Sequence, residues 1–354
     1  MNVLRRASVE QSPYWPIVRR DRARRALAAA GAGLLALAIL SGCGMRDGIV
    51  GIHPAPSEVT GGASLTVDAA TRITARVLDE AAAAAAQTGE GSDEARARVM
   101  NGSARDMANS AARVGAAPGA SEHPVARTEP PKILALSEGR DWPRAILATT
   151  LDPSSNIQRL LVLTSASAAE PYVLTASVPM FAGSSLPTLG APAGGTAFFS
   201  PDDGTGLALS PQEALAAYAA ALAFPDPVAN DKVPTTDTFA TGLRASMDKQ
   251  KEALGDLASL TATHTVVPEQ TMAFRMADGG AVVFGRFNRL EKVTLAENAQ
   301  KITLPEAVAK LVGKDTATKG LEVASLETIV LVVPTQGTVS VVGAAEQRDS
   351  GTAE

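Results

Sequence analysis

From Leu65 onward the apolar positions recur first at helical and then at strand spacing, and the chain runs through this order twice. "LTVDAATRITARVLDEAAAAA" begins at Leu65 and places Val67, Ala70, Ile73, Val77 and Ala81 three and four residues apart, which gives one apolar stripe along a helix. "LSPQEALAAYAAALA" begins at Leu209. There Ser210 as cap, Pro211 at the first helical position and Glu213 at the third predict a capping box. Each start is followed by a second predicted helix, over 92–114 and 236–260.

After these helices each half changes to period-two or continuous apolar runs. The first half offers "RAILATTL", "RLLVLTSA" and "YVLTASVPM", punctuated by turns at Asp152-Pro153-Ser154-Ser155-Asn156 and Ala169-Glu170-Pro171. The second offers "TMAFRMA", a turn at Asp278-Gly279-Gly280, the long "AVVFGRFNRLEKVTLA", a short helix near 304–312, then "LETIVLVVP" and "TVSVVGA". Helices followed by antiparallel strands predict an α+β class, unlike the strict strand-helix alternation of parallel sheets. Residues 183–206 between the halves are rich in Gly, Pro, Ser and Asp, and structureless loops of such length are uncommon inside compact domains. The expected organisation is therefore two tandem α+β domains, 64–190 and 207–345, with a linker at 191–206 and a disordered tail at 346–354.

Upstream the pattern is of another kind. Arg19, Arg20, Arg22, Arg24 and Arg25 precede an apolar and small-residue run from Ala26 to Leu40, and Cys43, the sole cysteine of the chain, follows Ser41-Gly42. A basic segment, an apolar core of about 15 residues and a small-residue end is the layout of a secretory signal, since a membrane span needs about 20 apolar residues. Leu40-Ser41-Gly42-Cys43 resembles the lipobox of bacterial lipoproteins. The resemblance implies cleavage before Cys43 and attachment of a diacylglyceryl group to its sulfur, with residues 1–42 as signal peptide. A lone thiol outside the cell has no internal disulfide partner, so thioether capture gives it a use. Acyl chains contribute about 0.8 kcal/mol per buried methylene, enough for two or three of them to hold a protein at the outer face of a membrane. Residues 44–63, punctuated by Gly and Pro, are expected to act as a flexible tether.

Removing the leader changes the charge balance. The chain carries a net charge of −5, but residues 1–42 hold seven Arg against Glu10 and Asp21, so the remainder stands near −10. Such a protein gains nothing from a phosphate backbone, and nucleic acid is excluded as an expected partner.

The helix pairs and meanders resemble the NTF2-like or cystatin-like α+β fold. The stretches "WPRAILATT", "RLLVLTSASAAEPYVLTASVPM" and "ADGGAVVFGRFNR" are similar to those of uncharacterised two-domain envelope lipoproteins of high-GC bacteria. That resemblance implies a fold and a place but no reaction.

Candidate chemistry is sparse. Ser246-Met247-Asp248-Lys249 is an S-x-x-K tetrad on a predicted helix, as in the penicillin-recognising serine enzymes, but no Ser-Asp-Asn or Lys-Thr-Gly element follows it. His53, His123 and His264 have no short ligand spacing among them and no second cysteine to join, so neither a metal nor a cofactor is expected. Any recognition surface is expected on the second half, where Phe274, Phe284, Arg286 and Arg289 lie along one hairpin, because desolvated aromatic and arginine side chains carry most interface energy. The alternative is that the phenylalanines and methionines there are core under the helices and Arg286 is solvated. Gly285 is expected to mark a bulge there. The function class that follows is a non-enzymatic, lipid-anchored envelope protein that binds or organises an envelope partner. The alternatives are a solute-binding lipoprotein of a transporter and, last, a serine acyl-transfer enzyme.

Overall fold

The computed structural model describes residues 61–115, 129–152 and 156–354; Cys43, its leader and most of the tether lie outside them. The elements in chain order are α1 (Val67–Ala85), α2 (Ser92–Val99), α3 (Gly102–Val114), β1 (Lys132–Leu136), β2 (Arg144–Asp152), β3 (Ile157–Ser165), β4 (Val173–Pro179), β5 (Phe198–Phe199), α4 (Pro211–Ala221), α5 (Thr238–Leu254), β6 (Ala258–Arg275), β7 (Ala281–Leu295), β8 (Ile302–Thr303), α6 (Glu306–Val312), β9 (Thr316–Ala317), β10 (Gly320–Val333) and β11 (Ser340–Ala353). The class is mixed α+β with antiparallel sheets.

Helix starts follow local chemistry. The Thr66 hydroxyl accepts from the Ala69 amide at 3.2 Å, and Ser210 and Glu213 close the reciprocal capping box that satisfies two orphan amides of α4. The helix expected over 92–114 breaks at Met100 and Asn101, both extended, because Met100 turns its side chain into the core and bridges Leu174 of β4.

β1 to β4 form a meander in order β1-β2-β3-β4, and the second sheet runs β11-β10-β7-β6-β5. The first carries α1 on its outer face, where Ala70, Val77 and Ala81 meet Ile146, Leu161 and Leu163. The second carries α4 on its outer face, where Leu215 and Tyr218 meet Val283, Phe287 and Ile329, and α5 further along, where Met247 meets Leu260 and Val293. The two inner faces pack on each other: Leu147, Leu160, Val162 and Val178 of the first sheet interdigitate with Phe274, Phe284, Val330 and Val342 of the second. The order through the molecule is helices, sheet, sheet, helices. α3 is set apart from the outer layers, against β4 and β11, where its Asp106 and Met107 reach Arg286 and Thr328 of the second sheet's inner face.

This shared core corrects the expected division into separate domains, because all described residues belong to one compact unit. Residues 183–206 do not form a free linker. Thr196 bonds its amide to Leu136 O, Ala277 bonds to Thr188 O, and Phe198 and Phe199 form β5 against β6, so the segment is tied to both sheets. Gly343 of β11 lets the sheets meet at an edge: a Cβ there would lie 2.6 Å from Pro179 O, and Met180 bridges Gly343. The tail expected to be disordered at 346–354 is the second half of β11, paired with β10 as far as Leu321 and Ala353. The helix expected to reach residue 260 ends at Leu254, and β6 takes over from Ala258.

Candidate functional site

A concave surface of mixed chemistry lies on the outer face of the second sheet, between α5, α6 and the strands. It has a volume of about 550 Å³. α5 lends Phe239, Leu243 and Met247, β7 and β10 lend Val293, Leu321 and Val323, and Val308 of α6 closes the far wall. Four charged side chains, Arg289, Glu291, Glu346 and Arg348, line the same groove.

The position of α5 is fixed at its N-terminus. Asp237 accepts from the Ala240 amide at 2.9 Å as the cap, and both its oxygens accept from the Tyr218 hydroxyl of α4 at 3.0 Å. Burial first, then Asp237 and Glu327, push the Tyr218 phenol well above its ordinary pKa, so the hydroxyl remains a donor.

Beneath the groove the strands place charges where period two would put apolar residues. Arg289 of β7 is buried, and it pairs through Nη1 with Glu327 Oε1 at 2.9 Å and Glu346 Oε2 at 3.0 Å, and through Nε with Glu291 Oε1 at 2.9 Å. The second oxygen of Glu327 lies 2.8 Å from His264 Nδ1, with both side chains fully buried. Desolvation works to lower the Arg289 pKa, yet the carboxylates around it, Glu327 foremost, hold it above the usual value. Burial works to raise the Glu327 carboxyl, but Arg289 and the His264 hydrogen bond outweigh it and keep it below the usual range. Glu291 goes the other way: burial raises it, and Arg289 offsets only part of that. Arg348 lines the groove with no ion pair within 4.0 Å among the described residues. The site therefore offers one cation held in a carboxylate clamp, a second cation open to a ligand, and an apolar trough beside them.

The sequence-predicted residues do not assemble as one surface. Phe274 and Phe284 are completely buried between the two sheets, which corrects the expectation that they face a partner. Arg286 lies on that inner face too. Its Nη1 donates to Phe287 O at 2.5 Å and Asn288 Oδ1 at 3.1 Å, and its Nη2 lies 3.8 Å from Asp106 of α3. Only Arg289, on the opposite face, reaches the groove. The irregularity expected at Gly285 is there: β6 and β7 lose register opposite it, between the pairs Val267–Arg286 and Met272–Phe284, with the extra residues on β6, while β7 stays in register with β10 through Gly285 and Ile329. Gly285 also makes room for α4: a Cβ there would meet Leu215 Cδ2 at 2.3 Å. The Ser246 hydroxyl lines the groove and accepts from Gln250 Nε2 at 3.4 Å, while no hydrogen bond joins it to Lys249 among the described residues. An activated nucleophile needs a base within hydrogen-bond reach, and here the neighbour is an amide.

Sequence reasoning missed Glu327, Glu346 and Arg348. Glu327 had a signal, as the one charge inside the apolar run "LETIVLVV"; the other two were assigned to a tail.

A family model describing a domain of unknown function, DUF8094, matches residues 135–351. The chain belongs to the DUF8094 family. The match covers 217 of 354 residues and runs across 191–206, from β1 to β11, so the DUF8094 region takes in both sheets. No curated protein and no solved structure was found similar to the chain.

Proposed function

We propose that this DUF8094 protein is an exported lipoprotein, anchored by a diacylglyceryl group on Cys43 at the outer face of the membrane. In this reading it is a non-enzymatic binder of an envelope partner. The observation that carries the proposal is the leader, in which a basic cluster, an apolar run and Leu40-Ser41-Gly42-Cys43 follow in the order and spacing of a lipobox. The groove beside Arg289 and Arg348 supplies a surface for recognition, with apolar walls for contact area and a guanidinium for an anionic group. In the same proposal each half, with helices on one face of an antiparallel meander, is a variant of the NTF2-like or cystatin-like plan, the two fused face to face.

A second reading, a solute-binding lipoprotein of a transporter, is favoured by one observation: a volume of about 550 Å³ suits a small molecule as well as a protein side chain. Membrane fractionation of the Cys43→Ala protein tests the anchor; its release from membranes is expected, and full retention contradicts it. Cross-linked neighbours of the anchored protein that disappear with Arg348→Ala support a protein partner, whereas a stoichiometric small molecule co-purifying with the native chain supports the second reading.

A further inference from the structure

On the inner side of the molecule, where α3 begins and β5 meets β6, lies a second cavity of about 600 Å³ that the groove does not touch. Its cause is a break in the β6-β7 pairing between Val267 and Met272, which lifts four residues out of register and turns Gln270 and Thr271 toward the start of α3. Such bulges re-aim side chains and recur beside binding sites. Thr271 is only 8% exposed, and its hydroxyl has no hydrogen-bond partner among the described residues. Gln270 donates its amide to Asp106 at 3.0 Å, while its buried Oε1 accepts from nothing described and points toward Gly102. Gln270 and Thr271, which both line this cavity, thus each carry a buried polar atom without a partner among the described residues, and such atoms call for a ligand that brings its own donors.

The rest of the wall specifies what kind. Thr164 and Thr175 share a hydrogen bond of 2.7 Å, and Asn101 reaches Thr164 at 3.4 Å, so the polar part is hydroxyl and amide, groups that both give and accept. Phe198, held by a tilted contact of 5.0 Å with Phe274, supplies a flat carbon surface. No lysine, arginine or histidine lines the cavity, and its one ionisable side chain is the exposed Glu269, so an anionic ligand has no counter-charge. Alternating neutral donors and acceptors with an aromatic face complement a sugar ring, whose hydroxyls radiate around its edge while its C–H bonds present apolar faces.

We infer that this cavity is a binding site for a neutral saccharide unit, formed by Gln270, Thr271, Asn101, Thr175 and Phe198 between the two sheets. It is independent of the groove and of the lipid anchor.

The test titrates the detergent-solubilised full chain, by saturation-transfer NMR and calorimetry, with neutral di- and trisaccharides of glucose, mannose, galactose, arabinose and N-acetylglucosamine. Glucose 6-phosphate and a neutral tripeptide serve as comparisons. At least one saccharide should bind at 1:1, and Thr271→Val should raise its Kd tenfold or more while leaving the melting temperature equal or higher, since the lost hydroxyl has no partner in the fold. Asn101→Ala should weaken the same saccharide, whereas Arg348→Ala in the groove should not. The inference is overturned if no saccharide binds, if the phosphate or the peptide binds more tightly, or if both Thr271→Val and Asn101→Ala bind as wild type. Loss of binding in Arg348→Ala alone would also overturn it, because that places the saccharide in the groove.

Discussion

At the scale of single residues the determining feature is a charge cluster inside a sheet. Arg289 is held by Glu327, Glu346 and Glu291, and Glu327 is shared with His264. Removing one partner from a buried pair strands the other, at a cost on the order of 3–5 kcal/mol. Glu327→Gln should therefore lower stability by about 3 kcal/mol in urea titrations, the low end of that range, because Glu346 and Glu291 still face Arg289. Its pH signature has a definite sign. The folded pKa of Glu327 is depressed, so its contribution is present above the ordinary value of 4.5 and is lost as pH falls through the lower folded value. Wild type should lose stability on acidification below about pH 4.5 more steeply than Glu327→Gln. Glu291, whose folded pKa is raised, contributes in the opposite sense, costing stability as pH rises above 4.5. A Glu327→Gln protein as stable as wild type at neutral pH would show that the cluster is not coupled to the fold. The cluster was half legible in the sequence. A lone glutamate in an apolar run announces a buried charge, but its partners, His264 and Arg289, come from two other strands, and strand register is a long-range property that local pattern does not carry.

At the scale of elements, long runs with strong local chemistry were legible and polar strands were not. The capping box at Ser210 gave the start of α4, and "AVVFGRFNRLEKVTLA" gave β7 to within a residue. The first part of β6 was hidden because Thr261, Thr263 and Thr265 alternate with Leu260, Ala262 and His264, a period two whose outward side is hydroxyl rather than charge. The second half of β11 was hidden because it is an edge strand, and charged residues such as Glu346, Arg348 and Asp349 on an edge guard against pairing with another chain. Its Asp349 is instead bound by Ser110 and Arg113 of α3. Gly285 shows the limit of single-residue reasoning about elements. In sequence it signals a bulge, and the β6–β7 register does break opposite it, but only the fold shows that it also seats α4. Gly285→Ala should force Leu215 off its position and cost about 1–3 kcal/mol, the usual penalty of overpacking, with circular dichroism showing the same helix content below the transition. Gly285→Ala with unchanged stability would mean that α4 has room to move.

At the scale of the whole molecule the repeat was legible but its consequence was not. Both halves do present helices and then a meander, yet each sheet has two apolar faces, and the second face of each is covered by the other. The sequence of either half alone cannot say what covers its far face, so the phenylalanines of β6 and β7 looked available to a partner when they are core. A shared core predicts one cooperative event. Thermal and denaturant unfolding should give a single transition by fluorescence and circular dichroism, and limited proteolysis should leave 183–206 uncut until the whole unit opens. Two separated transitions, or early cleavage at that segment into two resistant fragments, would restore the picture of independent domains. In the proposed reading, what this unit does depends on where it is held, and the sulfur of Cys43 is the atom that would hold it. The direct test is the intact mass and N-terminal peptide of the native protein extracted from membranes. The account predicts a chain that begins at Cys43 and carries a thioether-linked diacylglyceryl group. A chain that retains residues 1–42, or begins elsewhere with an unmodified thiol, would contradict it.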